Sequence, residues 1–174
     1  MKQIKLLFPL FIAGLFFFNA SSAQSGYMKL GDIKGESTDK DHKDWIIIES
    51  VSQGFSKPAA TGQSRRRGTA VVEDMSITKS VDKATPKLLE LCVNGKVVPE
   101  VIIDLTNAQR TSYYNITMKN VLVSSYSTSA SCSGSCESMD KVSLNFEEIT
   151  WTYTDLSDPN RTKITSTYRV DKNM

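Results

Sequence analysis

Several titratable side chains lie close together near the start of the sequence, namely Asp39, Asp41, His42 and Asp44. Carboxylates this close together could bind calcium, but the EF-hand spacing is absent, because no Gly occupies its turn position and no bidentate Glu closes it. Lys40 and Lys43 would also place positive charge inside a cation cage. We therefore expect no metal and no cofactor.

His42, the single histidine of the chain, could act as a general base. No Ser or Cys occupies a nucleophile elbow, and a lone His among surface charges is typical of a solvated or turn-bonded side chain. Glu147 and Glu148 could act as paired carboxylates in a hydrolase, the weakest of our hypotheses, although a position at the rim of a sheet suits them better. We predict that the protein is not an enzyme.

Arg65, Arg66 and Arg67 form a basic cluster that could bind phosphate or nucleic acid. The cluster is short and has no interleaved aromatic residues, which single-strand binding sites use for stacking. A solvated loop or a protein contact is the favoured interpretation, and we expect no nucleic-acid partner.

The chain of 174 residues suits one domain, preceded by a segment with the features of an export signal. Lys2 and Lys5 precede an apolar run from Leu6 to Phe18, and small residues follow at Ser21 to Ala23. This pattern predicts a signal peptide at 1–23, a mature domain at 24–174 and an exported protein, periplasmic or secreted, without membrane association after cleavage. An uncleaved anchor is the alternative. Cleavage removes two of 21 basic residues and leaves 19 against 19 acidic ones, so the mature chain is neutral.

Three cysteines remain in the mature chain, and an oxidising compartment permits a bridge between two of them. Cys132 and Cys136 could close a small loop, or they are two thiols in a flexible Ser-rich loop, because their spacing matches neither a zinc pair nor a redox motif. Cys92 lies in an apolar helical context, which favours a buried side chain.

Most of the mature chain alternates apolar and polar residues with the period of strands. The apolar residues change parity after Met118 and again after Phe146, which predicts β-bulges near Lys119–Asn120 and Glu147–Glu148. One helix is expected after Asp82 or Thr85 as cap, with Pro86 in its first turn and Gly95 at its stop. Turn-rich loops are expected at 52–68, 124–138 and 155–161.

Three stretches of the sequence resemble the Hcp family, the haemolysin-coregulated proteins that form the tube of type VI secretion systems. The longest is Tyr27 to Ser50, "YMKLGDIKGESTDKDHKDWIIIES", with Ile-Lys-Gly-Glu-Ser before a charged turn and Trp-Ile after it. The others are Ile77 to Val98, with an Asp-Lys-x-Thr-Pro helix start, and the strand "YYNITMKNVLVSSYS". The similarity extends from about Tyr27 to Val170.

The resemblance implies a mainly β fold, a small antiparallel β-barrel of two sheets with one flanking α-helix. It also implies a non-enzymatic structural protein whose copies form hexameric rings that stack into a tube carrying effectors, with secretion effectors or spike and sheath components as further partners. The ring interface is expected to involve the loop from Phe55 to Thr69 and the charged turn, at Ser56, Lys57, Arg65, Arg66, Arg67, Asp39 and Asp41.

The signal peptide departs from this family, whose tube proteins assemble in the cytoplasm. The alternative hypothesis is therefore a secreted binding module of the same fold that holds a polypeptide or glycan partner. Because one fold supports many functions, the resemblance predicts the fold more firmly than the role.

Overall fold

The computed structural model describes residues 25–57 and 70–170. The signal-peptide prediction and Arg65, Arg66 and Arg67 lie outside the described residues. Eleven strands and one helix are present in the described part. In chain order they are β1 Ser25–Leu30, β2 Ile46–Ile48, β3 Ser50–Ser52, β4 Phe55–Ser56, β5 Val71–Val72, β6 Met75–Ser80, α1 Thr85–Asn94, β7 Val98–Thr106, β8 Ser112–Ser133, β9 Ser135–Asn145, β10 Glu148–Thr154 and β11 Lys163–Arg169.

The strands are antiparallel. β4 and β5 pair only with each other, and the other nine strands form two halves that share a core. One half has the order β2-β1-β7-β8-β10-β11, and the other has the order β8-β9-β6-β3. The core between them contains Met28, Ile77, Met118 and Leu144, all at or near zero exposure. The prediction of a mainly β, two-sheet protein with one helix is confirmed.

The expected closure into a barrel is not present in the pairing of the described strands. The main hydrogen-bonded path runs from β2 to β3, with β10 and β11 branching from it at β8. β2 and β3 are separated by the single residue Glu49, whose amide donates to the Thr78 carbonyl at 2.8 Å. One bent segment therefore pairs with β1 before Glu49 and with β6 after it. At this edge the covalent chain, rather than strand pairing, connects the two halves.

The predicted changes of strand parity occur where two strands bend together. Met118 and Val121 are both buried, as are Phe146 and Ile149. Asn120 takes a left-handed φ of 51° at this corner. The register is nevertheless the same on both sides, with Lys119 opposite Glu148 and Leu122 opposite Asn145. Both strands switch the face on which their side chains lie at the same corner, so neither strand contains the extra residue of a β-bulge there. The register shift in β8 lies between Val123 and Ser125.

The helix has the predicted ends, but no side chain caps its first residue. Pro86 lies in the first turn, and Gly95 ends the helix at φ 60°, a left-handed conformation that glycine adopts without a Cβ penalty. The residue before the helix, Ala84, has no side chain able to cap it. Asp82 accepts from the Ala84 amide at 2.9 Å instead, so the turn before the helix is held by Asp82.

The expected loop at 124–138 is a two-stranded ribbon. β8 and β9 stay paired up to Ser133 and Ser135 around Gly134. Serine and threonine are compatible with an exposed ladder, and composition alone suggested a loop because the segment has few apolar side chains.

Candidate functional site

The charged turn, Asp39 to Asp44 between β1 and β2, is folded tightly against the start of β2. Gly35 donates to the Asp44 carbonyl at 2.8 Å, and Ser37 donates to the Trp45 carbonyl at 3.0 Å. A Cβ on Gly35 would lie 2.3 Å from the Trp45 carbonyl oxygen and 2.3 Å from the Ile46 Cα. No side chain fits in this space, which is the physical reason for the glycine in the Ile-Lys-Gly-Glu-Ser stretch.

His42 lies at the centre of this turn, bound on both sides of its ring. Its Nδ1 is 2.9 Å from Asp39 Oδ1, and its Nε2 is 2.7 Å from Asp104 Oδ2. The other oxygen of Asp104 accepts a hydrogen bond from Ser112. His42 is 4% exposed, so of the two expected environments the solvated one is wrong and the turn-bonded one holds, through Asp39. The ring also reaches inward to β7, where Asp104 lies.

Aromatic rings enclose the imidazole. The Tyr27 ring stacks on it at 4.3 Å with planes 3° apart, and Trp45 meets it edge-on at 5.0 Å. With carboxylates on both nitrogens and rings on its face and edge, His42 has no open side for a substrate. The arrangement pins the turn to β1, β7 and β8, and it is structural rather than catalytic.

Asp39 is the carboxylate most affected by this arrangement. The hydrogen bond from His42 lowers the pKa of Asp39, and backbone amides of Asp41 and His42 act in the same direction, against the effect of desolvation. The ionised form is therefore favoured by folding.

Stability should depend on the Asp39 carboxylate in acid. Because its folded-state pKa lies below its unfolded value of 3.8, the contribution of Asp39 is complete above that value and is lost as pH falls through the lowered one. Urea unfolding at a series of pH values should show a stability gap between the wild type and Asp39→Asn that is constant above about pH 5 and narrows below about pH 4. A gap that widens in acid would contradict this.

A second buried cluster joins the start of α1 to the sheet. Lys79 Nζ lies 3.0 Å from Asp140 Oδ2 and 2.8 Å from Asp82 Oδ1, and the Lys79 and Asp140 side chains are both 0% exposed. Thr85 donates to Asp140 and accepts from Lys79 at 3.1 Å. The Asp-Lys-x-Thr-Pro helix start thus has a physical function, since Asp82 and Thr85 anchor the helix to β6 and β9.

Burial alone would raise the pKa of Asp140, but hydrogen bonds from the Thr85 and Thr128 hydroxyls and the Lys79 ammonium outweigh it, and the pKa lies below its usual value. Burial, with the neighbouring Asp140 carboxylate, raises the pKa of Tyr126 to about 12. The Tyr126 hydroxyl is buried and has no hydrogen-bond partner among the described residues.

The sequence reasoning did not single out Lys79 and Asp140, although a signal was present. Lys79 shares its parity with the core residue Ile77, and Asp140 shares its parity with Val142. These residues pair directly across β6 and β9, Ile77 with Val142 and Lys79 with Asp140. Opposite charges at core-facing positions of two strands predict a buried pair, because a lone buried charge is too costly.

The residues predicted for the ring interface occupy different environments. Asp41, Ser56 and Lys57 are exposed. Asp39 is hydrogen-bonded to His42, and its side chain is 9% exposed. Lys34 pairs with Asp44 at 3.5 Å at the surface of the same turn, so the charged run is held by contacts within the chain.

Glu147 and Glu148 are held by different partners. Lys119 lies 3.0 Å from Glu148, and Arg169 binds the same carboxylate. The hydrogen bonds from Lys119 and Arg169 lower the pKa of Glu148, whereas a general acid needs a raised one. Glu147 instead accepts from the Asn120 side chain at 2.6 Å.

Cys132 and Cys136 lie opposite each other in the ribbon and are joined by a disulfide with an S–S distance of 2.12 Å. Cys92 is half-buried and free.

We expect the purified, unreduced mature chain to show one reactive thiol per unfolded molecule and three after reduction, because two of its three cysteines are bonded. Thiol titration in guanidinium measures this. The Cys92→Ser variant is the control and should show none before reduction; three thiols in unreduced wild type would contradict the bridge.

Within residues 25–57 and 70–170, no group of three His, Cys, Asp or Glu side chains is arranged to hold a metal ion. In the same residues, no helix has the length and apolar character to span a bilayer.

Comparison with known proteins gives consistent results. The family model for "Type VI secretion system effector, Hcp" matches residues 27–153. Protein hcp1 of Pseudomonas aeruginosa is 37% identical over 128 residues, which cover 71% of this chain and 78% of that protein.

Solved structures extend the similarity to the whole fold. A type six secretion system protein aligns with a TM-score of 0.80 at 27% identity, covering 87% of this chain and 99% of that one. Hcp1 from Salmonella typhimurium aligns with a TM-score of 0.73 at 25% identity, covering 87% and 97%. The chain therefore belongs to the Hcp family of secreted type VI secretion tube proteins.

Proposed function

We propose that the mature chain assembles with copies of itself into hexameric rings that stack into a type VI secretion-type tube and carry effectors. The observation that carries the proposal is the match to the Hcp family model over residues 27–153. The two solved structures are covered over 97–99% of their length, which supports a shared fold across nearly all of each of them. On this proposal the protein performs no chemical step, and its partners are its own copies, effectors, and spike or sheath components.

The charged turn supports a structural role. His42 at its centre is bonded to Asp39 in the turn and to Asp104 of β7, so these three side chains are occupied within the subunit. A subunit that must repeat around a ring benefits from a rigid surface, because each interface has to form with the same geometry. Exposed Asp41, Ser56 and Lys57 remain candidates for contacts between subunits, together with Arg65, Arg66 and Arg67.

We further propose that residues 1–23 are a cleaved signal peptide and that assembly takes place in the periplasm or outside the cell. A paired Cys132–Cys136 bridge supports this proposal, because disulfides persist in oxidising compartments and are rare in the cytosol.

Mass photometry of the mature chain, residues 24–174, tests the assembly. We expect a species with six times the subunit mass, and negative-stain images of ring-shaped particles that stack at high protein concentration. A monomer that persists up to high concentration by light scattering would overturn the proposal.

A further inference from the structure

β10 and β11 form a two-stranded extension of the sheet with chemically different faces. One face carries paired threonines, with Thr150 bonded to Thr167 at 2.9 Å and Thr152 to Thr165 at 3.2 Å. Side chains directly opposite each other lie on the same face of a sheet, so Tyr153 shares the other face with its partner Ile164. The extension is therefore polar on one side and apolar on the other.

We define the aromatic face as Phe55, Trp151, Tyr153, Ile164 and Tyr168. The Phe55 ring lies 5.2 Å from that of Trp151 and 6.4 Å from that of Tyr168. Ile164 is 65% exposed, Phe55 47% and Tyr153 44%. Aromatic side chains concentrated on one exposed face are typical of the centre of a protein interface.

A groove of about 340 Å³ opens beside the aromatic face, with Trp151 and Phe55 in its wall. Its other lining residues include Met75, Leu105 and Ile116. The Gln53 side-chain nitrogen is buried here without a hydrogen-bond partner in the described part of the chain. The groove can take an apolar side chain from a partner. The backbone carbonyl beside that side chain could then accept a hydrogen bond from the Gln53 amide nitrogen.

The exposed area suits a protein partner. Large side chains have about 150–250 Å² each, so the exposed fractions give an aromatic face of roughly 300–400 Å². A standard interface covers about 800 Å² per partner and is somewhat more than half apolar. The aromatic face is thus large enough for the apolar centre of one such interface.

The same chain presents an apolar counterpart. Leu89 and Val93 lie four residues apart on α1, hence on one side of the helix, and are 40% and 80% exposed. Ring closure requires two different surfaces of one subunit to meet, because a surface that binds only itself gives a dimer.

We infer that a second copy of this chain docks on the aromatic face, with its Leu89 and Val93 entering the groove beside Trp151. The inference rests on the proposed ring assembly and assigns its contact surfaces.

Adjacent residues on the two faces of β11 provide a matched test. Ile164→Asp places a charge on the aromatic face, and Thr165→Asp places the same charge on the threonine face of the same strand. By mass photometry across a concentration series of the mature chain, Ile164→Asp should weaken self-association tenfold or more, and Thr165→Asp by less than about threefold. Val93→Asp should act like Ile164→Asp, with the adjacent exposed Asn94→Asp as its control.

Circular dichroism establishes that each variant is folded. If Ile164→Asp does not fold, Ile164→Thr, which keeps a β-branched residue in the strand, should still weaken association. Rings that persist unchanged in folded Ile164→Asp or Val93→Asp overturn the assignment of that surface while leaving ring assembly intact. A monomeric wild type overturns both the inference and the proposed function.

Discussion

Lys79→Met is expected to lower the free energy of unfolding by about 3–5 kcal/mol, the usual cost of removing one partner of a buried ion pair. Lys79 and Asp140 are fully buried, and the lysine also contacts Asp82 and the Ser80 carbonyl. Methionine fills similar space but leaves Asp140 without its cation in a region of low dielectric. Urea unfolding of the mature chain followed by circular dichroism measures the change.

Two further variants make the test specific. Lys79→Met combined with Asp140→Asn should be less destabilised than Lys79→Met alone, because the orphaned charge is gone. Lys87→Met removes a lysine from an exposed pair with Glu90 and should change stability by less than about 0.5 kcal/mol. A loss of under about 1 kcal/mol for Lys79→Met would contradict the buried-pair account.

His42→Phe is expected to cost about 3 kcal/mol, because it removes two hydrogen bonds to buried carboxylates at roughly 1.5 kcal/mol or more each. Phenylalanine retains a ring to stack on Tyr27, so the loss reports mainly on Asp39 and Asp104. The same unfolding measurement applies. The neighbouring variant Lys43→Met, at an exposed position, should leave the free energy of unfolding nearly unchanged. Equal effects of the two variants would show that the hydrogen bonds of His42 do not stabilise the fold.

The aromatic face lies on other strands than His42 and its partners Asp39 and Asp104. Variants at the two places should therefore have separate effects, on assembly and on subunit stability. Variants of His42 and Lys79 should lower the stability of each subunit, because they act inside it. Ile164→Asp should leave the subunit folded and act on the association of copies, because Ile164 is 65% exposed.

Local patterns in the sequence were sufficient to predict most of the strands and the helix. Period-two alternation predicted the strands and their changes of parity at Met118 and Phe146, and Pro86 with Gly95 predicted the ends of the helix. These features depend on residues within a few positions of one another, where steric and conformational rules act directly. The stretch from Tyr27 to Ser50, with Gly35 and its charged turn, was likewise sufficient to identify the family.

The tertiary structure decided where the polar groups lie. His42 meets Asp104 across 62 positions, and Lys79 meets Asp140 across 61. Strand pairing brings these partners together, and that pairing depends on the packing of the whole core rather than on the neighbours of any one residue. Hence the sequence left open whether His42 is solvated or bonded within the turn, the family resemblance implied a barrel, and composition predicted a loop at 124–138. In the folded protein His42 is buried, the segment from Ile46 to Ser52 bends between two sheet halves, and the loop is a ribbon.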